Sequence, residues 1–456
     1  MNKRSVVILI ADGLTPEVLD EAIRDGVVPE LAALAAENGR HLITTVFPSV
    51  TGVAYIPMLT GVHPAEAGIP GLRWFDRSRR LSALLGRARS YVGLQIRSMN
   101  DDLLPTAVTA FERVGGDALG METVITRGLP RHRQLDRGAA YAARVIHAHL
   151  AGDVARWAAL EEERADRLIT RVRRERPRFV FAAFTSGDKA AHRDGAGSAG
   201  VRRSLQLVDH VARSIRCDAE RDGRWSSMQL WVASDHGHSP LEHHLDIADE
   251  MRGVGIRVRS HPWTVPDRSE AAVMVGGNGM AHIYLDLAVR TRRDWKELSS
   301  SWSPRIEALL SHAAIDIVAM RTSPSTVLIR RGARHAEIAV TENRFSYREI
   351  DGDPLGCGSF EGLCDDEAHE RCADSEYPDA VVQLGRLVLA ERSGDVIISA
   401  SPGWDLRRRY EPINHVSSHG ALHRAHMMVP LVGNRRLEVA PRRTTDLFQI
   451  LMREID

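Results

Sequence analysis

Acidic and histidine side chains follow three apolar runs of the sequence, SVVILIA, FVFAAF and MQLWVA. Asp12 comes just after the first run, Asp188 and His192 after the second, and Asp235 with His236 after the third. Continuous apolar runs are typical of parallel strands buried on both faces, and functional groups collect at the carboxyl ends of such strands. Asp188 and His192 are four residues apart, so one helical turn brings both to a single ion. The pattern predicts carboxylates and imidazoles grouped at one edge of a sheet.

A threonine lies in the stretch around which these groups are organised, TTVFPSVTGVAYIPMLTGVHPAEAGIPG at residues 44–71. The stretch begins as a strand predicted over residues 41–47, turns at Pro-Ser, and takes up helical spacing from Val50. We expect Thr51 on the first turn of that helix, where unpaired N–H groups and the helix dipole favour an anion. A threonine there can attack phosphorus once its proton is removed. The alternative is that Ser49 or Thr51 only caps the helix.

His419, between a serine and a glycine, completes a set of three aspartates, three histidines and one threonine. Taken singly, several members have structural alternatives: Asp12 as a turn residue, Asp188 as a helix cap and His419 as part of a surface turn. A catalytic zinc takes three protein ligands and keeps one position open, so seven groups suit two ions rather than one.

Mixed carboxylate and imidazole ligands favour two zinc ions as cofactors, with manganese or iron as alternatives. Two ions about 4 Å apart lower the pKa of an alcohol such as that of Thr51 and neutralise the phosphoryl oxygens during displacement. A shared ion requires the Thr51 oxygen to lie within about 6 Å of the Asp12 and Asp235 carboxylates.

The surrounding pattern alternates buried strands with amphipathic helices, which predicts an α/β fold with a mostly parallel central sheet. We interpret residues 1–456 as a single catalytic domain that carries two insertions. The first, residues 73–155, lacks regular alternation and is expected to lie over the active edge of the sheet, where it contacts substrate. The second, residues 241–373, mixes strand-like and helical runs and is predicted to be a small α+β insertion.

Composition argues against several classes of protein. Sixty basic and sixty acidic residues give a net charge of zero, so nothing favours binding to a nucleic-acid polymer. The apolar run near the N-terminus is too short for a membrane span and lacks a cleavage site, so we expect a cytoplasmic protein. Cys357, Cys364 and Cys372 lack a paired zinc-binding spacing, which favours free thiols in a surface insertion over a zinc knuckle.

The order of these residues resembles the alkaline phosphatase superfamily, in its type I phosphodiesterase/nucleotide pyrophosphatase branch. The resemblance is carried by four segments, which are ILIADG, FPSVTGVAYIPMLTGVHPAEAGIPG, the pair FTSGDKAAH and VASDHG, and SSHGALHRAHMMVPLVG. It extends from Val6 to about Gly433 and leaves the two insertions unmatched. It implies an alkaline phosphatase-like three-layer sandwich with inserted cap regions that choose the substrate.

The resemblance implies that Thr51 is the nucleophile and forms a covalent phospho-enzyme intermediate. It assigns one metal to Asp12, Thr51, Asp235 and His236. It assigns the other metal, which would activate the hydrolytic water, to Asp188, His192 and His419.

One position departs from the family pattern. Nucleotide-cleaving members usually carry an asparagine some way after the nucleophile, and this chain has PGLRWF there, with Leu72 and Arg73. We expect Arg73 or Lys189 to supply the missing contact to a phosphoryl oxygen. An arginine side chain suits this role because it can donate hydrogen bonds to two phosphate oxygens at once. Gly52, beside the nucleophile, is a further candidate for substrate binding. The alternative for Arg73 is a solvated loop charge.

These inferences predict a two-metal hydrolase that cleaves phosphodiester or pyrophosphate bonds in a small, nucleotide-like molecule. A phosphomonoesterase, sulfatase or phosphonate hydrolase using the same site is the first alternative, although a threonine argues against a sulfatase. The second alternative is a non-catalytic binding module on a decayed site. Neither insertion has a pattern that identifies the leaving group, and the sequence leaves the oligomeric state open.

Overall fold

A computed structural model describes residues 4–78, 87–136, 138–260, 268–407, 413–453 and 455. The strands are β1 (Ser5–Ala11), β2 (Arg40–Thr44), β3 (Arg73–Phe75), β4 (Ala88–Ser90), β5 (Ala118–Met121), β6 (Phe179–Phe184), β7 (Met228–Ala233), β8 (Ser239–His244), β9 (Val258–Ser260), β10 (Ala271–Gly276), β11 (Met280–Tyr284), β12 (Ile315–Ser323), β13 (Thr326–Arg331), β14 (Arg334–Thr341), β15 (Arg344–Asp351), β16 (Phe360–Leu363), β17 (Val396–Ala400), β18 (Gly403–Asp405), β19 (Ser417–Ser418) and β20 (Met428–Gly433).

The α-helices are α1 (Pro16–Arg24), α2 (Pro29–Asn38), α3 (Tyr55–Thr60), α4 (Ser98–Asp102), α5 (Ala110–Val114), α6 (Ala139–Leu150), α7 (Val154–Glu175), α8 (Ser186–Asp194), α9 (Ala199–Arg221), α10 (Ile247–Gly253), α11 (Trp295–Leu310), α12 (Asp365–Cys372), α13 (Ala380–Leu389), α14 (Arg424–Met427) and α15 (Thr444–Arg453). Among the described residues, no helix combines the length and apolar character that a membrane span requires.

The central sheet has six strands in the order β2-β20-β7-β1-β6-β5. The four strands from β7 to β5 are parallel, and β20 pairs antiparallel with both β7 and β2, so β20 is the one described strand of this sheet that runs in the opposite direction. Every residue of β1, β6 and β7 is buried, as expected for parallel strands that are covered on both faces. Alternate residues of β1 enter different cores: Ile8 packs on the side of α3 and α15, and Leu9 packs on the side of α1, α2, α7 and α9. The predicted α/β fold, with helices on both faces of a mostly parallel sheet, is confirmed.

A second sheet has nine strands in the order β16-β15-β14-β13-β12-β17-β11-β10-β9. It takes in the strand-like runs of the predicted second insertion and also β17, which lies beyond the predicted boundary at residue 373. β17 pairs with β11 and β12 because its two faces complete the cores on both sides of this sheet. The α+β character of residues 241–373 therefore continues past the expected end, and the domain limits themselves stay a prediction.

The region predicted as the first insertion contains short elements and one strand of the central sheet. β3 and β4 form a two-stranded antiparallel sheet, while β5 is the edge strand beside β6. Residues 118–121 thus belong to the core sheet instead of lying over its active edge. The expectation failed there because β5 is only four residues long, too short to show a readable alternation.

The expectation of free thiols is wrong for two of the three clustered cysteines. Cys357 and Cys372 form a disulfide, with their Cα atoms 4.8 Å apart. Cys372 ends α12, and the fold brings it against the loop that carries Cys357. Cys364 and the exposed Cys217 remain free thiols. The spacing of Cys357 and Cys372 in the sequence does not predict their pairing, because the pairing depends on how the loop folds against α12.

His282, on β11, is a buried histidine that links two parts of the chain. Its Nε2 donates to the carbonyl of Pro70 at 3.0 Å, and its Nδ1 accepts from the N–H of Gly394 at 3.2 Å. Both nitrogens are satisfied only in the neutral ring, and burial lowers the pKa of His282 from 6.5 to about 4.

We expect this histidine to make the protein less stable in mild acid. As the pH falls, the unfolded chain binds the proton before the folded chain does. The contribution of His282 to the free energy of unfolding is therefore fully present above pH 6.5 and is lost towards pH 4. The shift corresponds to about 3 kcal/mol. Urea unfolding of His282→Gln should show a pH dependence between 7 and 4 that is weaker by that amount. The exposed His210→Gln is the control, and equal pH dependence in His282→Gln and wild type would contradict the assignment.

Candidate metal centre

The ends of two neighbouring strands position the first set of donor atoms. β1 and β7 are paired in parallel, with Ile10 opposite Ala233, so Asp12 and Asp235 leave the sheet side by side. His236 follows directly. Asp12, Asp235 and His236 are all buried, and each offers a ligand atom within 4.8 Å of the others. We call these three residues the first donor group.

α8 and the segment after β19 position the second set. Asp188 and His192 lie one turn apart on α8, and His419 follows β19. With His238, which precedes β8, they form the second donor group, whose ligand atoms also lie within 4.8 Å of one another. The ring of His419 stacks on that of His236 with centroids 3.6 Å apart, so the two groups adjoin.

Thr51 lies beside the first donor group, in the turn that precedes α3. Its Oγ1 donates to Asp12 Oδ1 at 3.1 Å and lies 3.0 Å from His236 Nε2. The expectation that Thr51 stands on the first turn of a helix is wrong. Gly52 adopts a φ of +83°, which a right-handed helix cannot accommodate, so α3 begins only at Tyr55. Contacts with the donor group therefore orient the hydroxyl, which lies outside α3.

The first donor group has the spacing of a metal site. His236 Nε2 lies 3.3 Å from Asp12 Oδ1 and 3.5 Å from Asp235 Oδ2. Ligands 2.0–2.1 Å from a tetrahedral ion stand about 3.3 Å from each other. Asp235 Oδ2 is buried and has no hydrogen-bond partner among the described residues. A buried carboxylate oxygen without a partner is costly unless a cation completes its surroundings, so these residues fit a divalent ion.

The second donor group converges on a single carboxylate oxygen. The Nε2 atoms of His238, His192 and His419 lie 2.9, 3.2 and 3.5 Å from Asp188 Oδ1. These separations again match the ligand spacing around one tetrahedral ion. The group is therefore built of three imidazoles and one carboxylate, a donor set that suits zinc.

Backbone carbonyls determine which nitrogen of the ring faces this oxygen. His192 Nδ1 lies 2.9 Å from the carbonyl of Ser417, and His419 Nδ1 lies 2.9 Å from that of Ser49. A carbonyl only accepts, so Nδ1 carries the hydrogen and Nε2 presents a lone pair. In a neutral ring, the lone pair of Nε2 faces the lone pairs of Asp188 Oδ1. A cation between the nitrogen and the oxygen makes this arrangement favourable.

The charges at the site are unbalanced. Asp12, Asp188 and Asp235 are at most 3% exposed. Burial raises the pKa of Asp12 well above its usual value and that of Asp235 to about 7, and neighbouring carboxylates add to both shifts. For Asp188, burial also favours the neutral form, but His192 and Lys189 outweigh it and hold the pKa well below the usual value. Three buried carboxylates need more positive charge than one lysine provides, which two divalent ions would supply.

Glu161 on α7 holds the start of the helix that carries Asp188. One of its carboxylate oxygens accepts from the N–H groups of Thr185 and Ser186 at 2.5 and 3.0 Å, and the other accepts from the Ser186 hydroxyl. A carboxylate at this end satisfies N–H groups that lack partners within the helix. Burial raises the pKa of Glu161 to about 7. Its role could not be predicted from the sequence, because Glu161 lies in an ordinary charged helix far from any motif.

The predicted substrate-binding cations occupy different surroundings. Lys189 Nζ lies 3.1 Å from Asp188 Oδ2 and above the ring of Trp157, and its side chain is 30% exposed. Lys189 is therefore beside the second donor group and open to solvent. Arg73 is buried in β3 and donates to the carbonyl of Val275 at 3.0 Å, which differs from the solvated loop charge considered as its alternative. Its role toward substrate stays a prediction, as does that of Gly52.

His238 is the member of the site that sequence reasoning missed. Its position in the sequence predicted no role for it, yet it is buried between Asp188 and Ser417. A signal was present, because His238 is only two residues after His236, and alternate residues of an extended segment point to the same side. The rings of His236 and His238 do lie close together, with their centroids 5.7 Å apart.

The sequence profile described as type I phosphodiesterase / nucleotide pyrophosphatase matches residues 6–422. Comparison with curated proteins gave no match. Solved structures with the same fold include phosphonoacetate hydrolase from Sinorhizobium meliloti 1021 in complex with phosphonoformate, at a TM-score of 0.58 and 18% identity, covering 100% of this chain and 96% of that one.

Two further structures are ectonucleotide pyrophosphatase / phosphodiesterase 5. The murine protein, an inactive variant in complex with AMP, has a TM-score of 0.59 and 14% identity over 100% of this chain and 95% of its own. The human protein has a TM-score of 0.57 and 13% identity over 99% and 95%. These likenesses show a common fold, and the profile spans nearly the whole chain. The chain therefore belongs to the type I phosphodiesterase / nucleotide pyrophosphatase family.

Proposed function

We propose that this protein is a two-metal hydrolase that cleaves phosphodiester or pyrophosphate bonds through Thr51. The observation that carries the proposal is the position of the Thr51 hydroxyl, 3.1 Å from Asp12 Oδ1 and 3.0 Å from His236 Nε2. A hydroxyl that only capped a helix would bond to backbone N–H groups, not to buried acidic and imidazole side chains. Membership of the family supports the reaction class.

The first donor group with Thr51 would hold one ion, and the second donor group would hold the other. When bound, divalent ions supply positive charge that lowers the pKa of the alcohol and neutralises the phosphoryl oxygens. Zinc suits the imidazole-rich second donor group, and manganese or iron remain alternatives.

The proposed reaction has two displacement steps at phosphorus. Thr51 Oγ1 attacks phosphorus, a Thr51 O–P bond forms, and the bond from phosphorus to the leaving oxygen breaks. The hydroxyl hydrogen points to Asp12 Oδ1, which gives the proton a direction in which to leave towards solvent, and the leaving oxygen takes up a proton from solvent. Water then attacks phosphorus from the opposite side and breaks the Thr51 O–P bond, which restores the hydroxyl.

Substrate would be held by groups at the rim of this site. Lys189 faces the second donor group with part of its side chain in solvent, so its ammonium can pair with a phosphoryl oxygen. The amide of Gly52 follows Thr51 directly and is a second candidate. AMP is bound to the murine relative and phosphonoformate to the bacterial one, and we infer a substrate of that size with a phosphorus-centred anion.

Relative rates on simple esters test this proposal. With zinc or manganese present, kcat/KM for bis-p-nitrophenyl phosphate should exceed that for p-nitrophenyl phosphate by at least about tenfold. Phosphonoacetate is the third substrate, because a phosphonate hydrolase shares this fold with a similar TM-score. A preference for the monoester or for cleavage of the carbon–phosphorus bond would contradict the phosphodiesterase assignment and favour the alternative hydrolases.

A cytoplasmic location stays a prediction. The Cys357–Cys372 disulfide is an observation against it, because disulfides are rare in reducing compartments.

A further inference from the structure

We infer that His238 is a direct ligand of the second ion, so that this ion has three imidazoles and one carboxylate from the protein and would take water as a fifth ligand. The inference rests on the proposed two-metal function and adds a ligand to the set that the family resemblance implied. Of the three imidazole nitrogens around Asp188 Oδ1, that of His238 is the nearest, at 2.9 Å. His238 is buried and is one of four residues whose donor atoms lie within 4.8 Å of one another.

The ring of His238 has a contact at each nitrogen, with Asp188 at Nε2 and with Ser417 at Nδ1. Its Nδ1 lies 2.9 Å from Ser417 Oγ, while the carbonyl of the same serine accepts from His192 Nδ1 at 2.9 Å. Ser417 thus orients two imidazoles with two different atoms. Hydrogen bonds of this kind to the distal nitrogen are what orient metal-ligating histidines.

Gly13 leaves the space that this ring fills. Its φ is +71°, and a Cβ at this position would lie 2.8 Å from His238 Cδ2. The chain that follows Asp12 therefore has a residue without a side chain at the point where the imidazole packs. The backbone at Gly13, two residues beyond β1, and the hydroxyl of Ser417 in β19 are thus compatible with one position of the His238 ring.

A ligated His238 makes the two donor groups chemically different. The first donor group with Thr51 presents three oxygens and one nitrogen, whereas the second presents three nitrogens and one oxygen. Imidazole favours zinc, copper and nickel, and oxygen ligands favour manganese and magnesium. We therefore expect the second site to fill first with zinc and to hold it more tightly than the first site does.

A zinc-soaked crystal of the full chain tests the ligand directly. Anomalous scattering should place an ion in the second donor group with His238 Nε2 about 2.1 Å away. In calorimetric titrations of metal-free protein, His238→Gln should weaken the tighter zinc site by at least about 100-fold. Ser417→Ala keeps the backbone carbonyl and removes only the hydroxyl, so it should weaken the same site by about tenfold. His423→Gln, a buried histidine outside both donor groups, should bind zinc as the wild type does.

The outcomes separate this inference from the proposed function. Ions in both donor groups with the His238 nitrogen still bonded to Asp188 would overturn the inference and leave the proposed function intact. Absence of an ion from both groups would overturn both. If His238→Gln does not fold, the crystal and the Ser417→Ala titration still decide: an ion far from Nε2, or unchanged affinity in Ser417→Ala, counts against ligation.

Discussion

Thr51→Ala is expected to lower kcat for bis-p-nitrophenyl phosphate by at least about 1,000-fold, which corresponds to about 4 kcal/mol of lost transition-state stabilisation. The variant removes the only atom proposed to bond to phosphorus and also one oxygen beside the first donor group. Thr51→Ser keeps a hydroxyl and should retain part of the activity. Acid-quenched wild-type protein should carry a phosphorus-containing adduct by mass spectrometry, and Thr51→Ala should carry none.

Ser49 provides a control from the same turn. Its hydroxyl donates to the carbonyl of Ala421 at 3.0 Å, and its own backbone carbonyl, which faces His419, is unchanged by substitution. Ser49→Ala should therefore stay within about tenfold of wild type. If Ser49→Ala lost activity as severely as Thr51→Ala, or if Thr51→Ala still formed the adduct, Thr51 would not be the nucleophile.

Removal of divalent metal should abolish turnover, and returning zinc or manganese should restore it. The physical reason is that three carboxylates are buried together, which raises the pKa of Asp12 and Asp235 and which bound cations would relieve. Binding of ions to the folded state alone also adds stability, so the thermal midpoint should rise with metal concentration. Asp188→Asn keeps the shape of the side chain and removes its charge, and we expect it to lower metal content to about one ion per chain and kcat by at least about 100-fold.

Asp209 is a buried carboxylate that serves as the matched control. It accepts from the N–H of Leu31 at 2.8 Å on the face of the sheet covered by α2 and α9, and it belongs to neither donor group. Asp209→Asn should keep its full metal content and activity. Full activity in chelator-treated wild type, or unchanged metal content in Asp188→Asn, would contradict the two-metal proposal.

Apolar runs in the sequence were enough to predict the core of the fold. β6 and β7 begin and end at the residues that the runs predict, because a strand buried on both faces must be apolar throughout. The same rule predicted that Asp12, Asp188 and Asp235 come together, since parallel strands end at a common edge. Short or irregular elements were less predictable. β5 has only four residues, and β17 could have joined either sheet by its pattern alone.

The sequence by itself determined which residue types reach the edge of the central sheet, because strand periodicity and the positions of strand ends are local properties of the chain. Only the tertiary structure decided how their atoms meet. The position of Thr51 depends on the left-handed Gly52, the orientation of His192 and His238 depends on Ser417, and the Cys357–Cys372 pair depends on the packing of α12. Each of these contacts joins residues whose spacing in the sequence carries no periodic signal, so their distances follow from packing and hydrogen bonding in the folded chain.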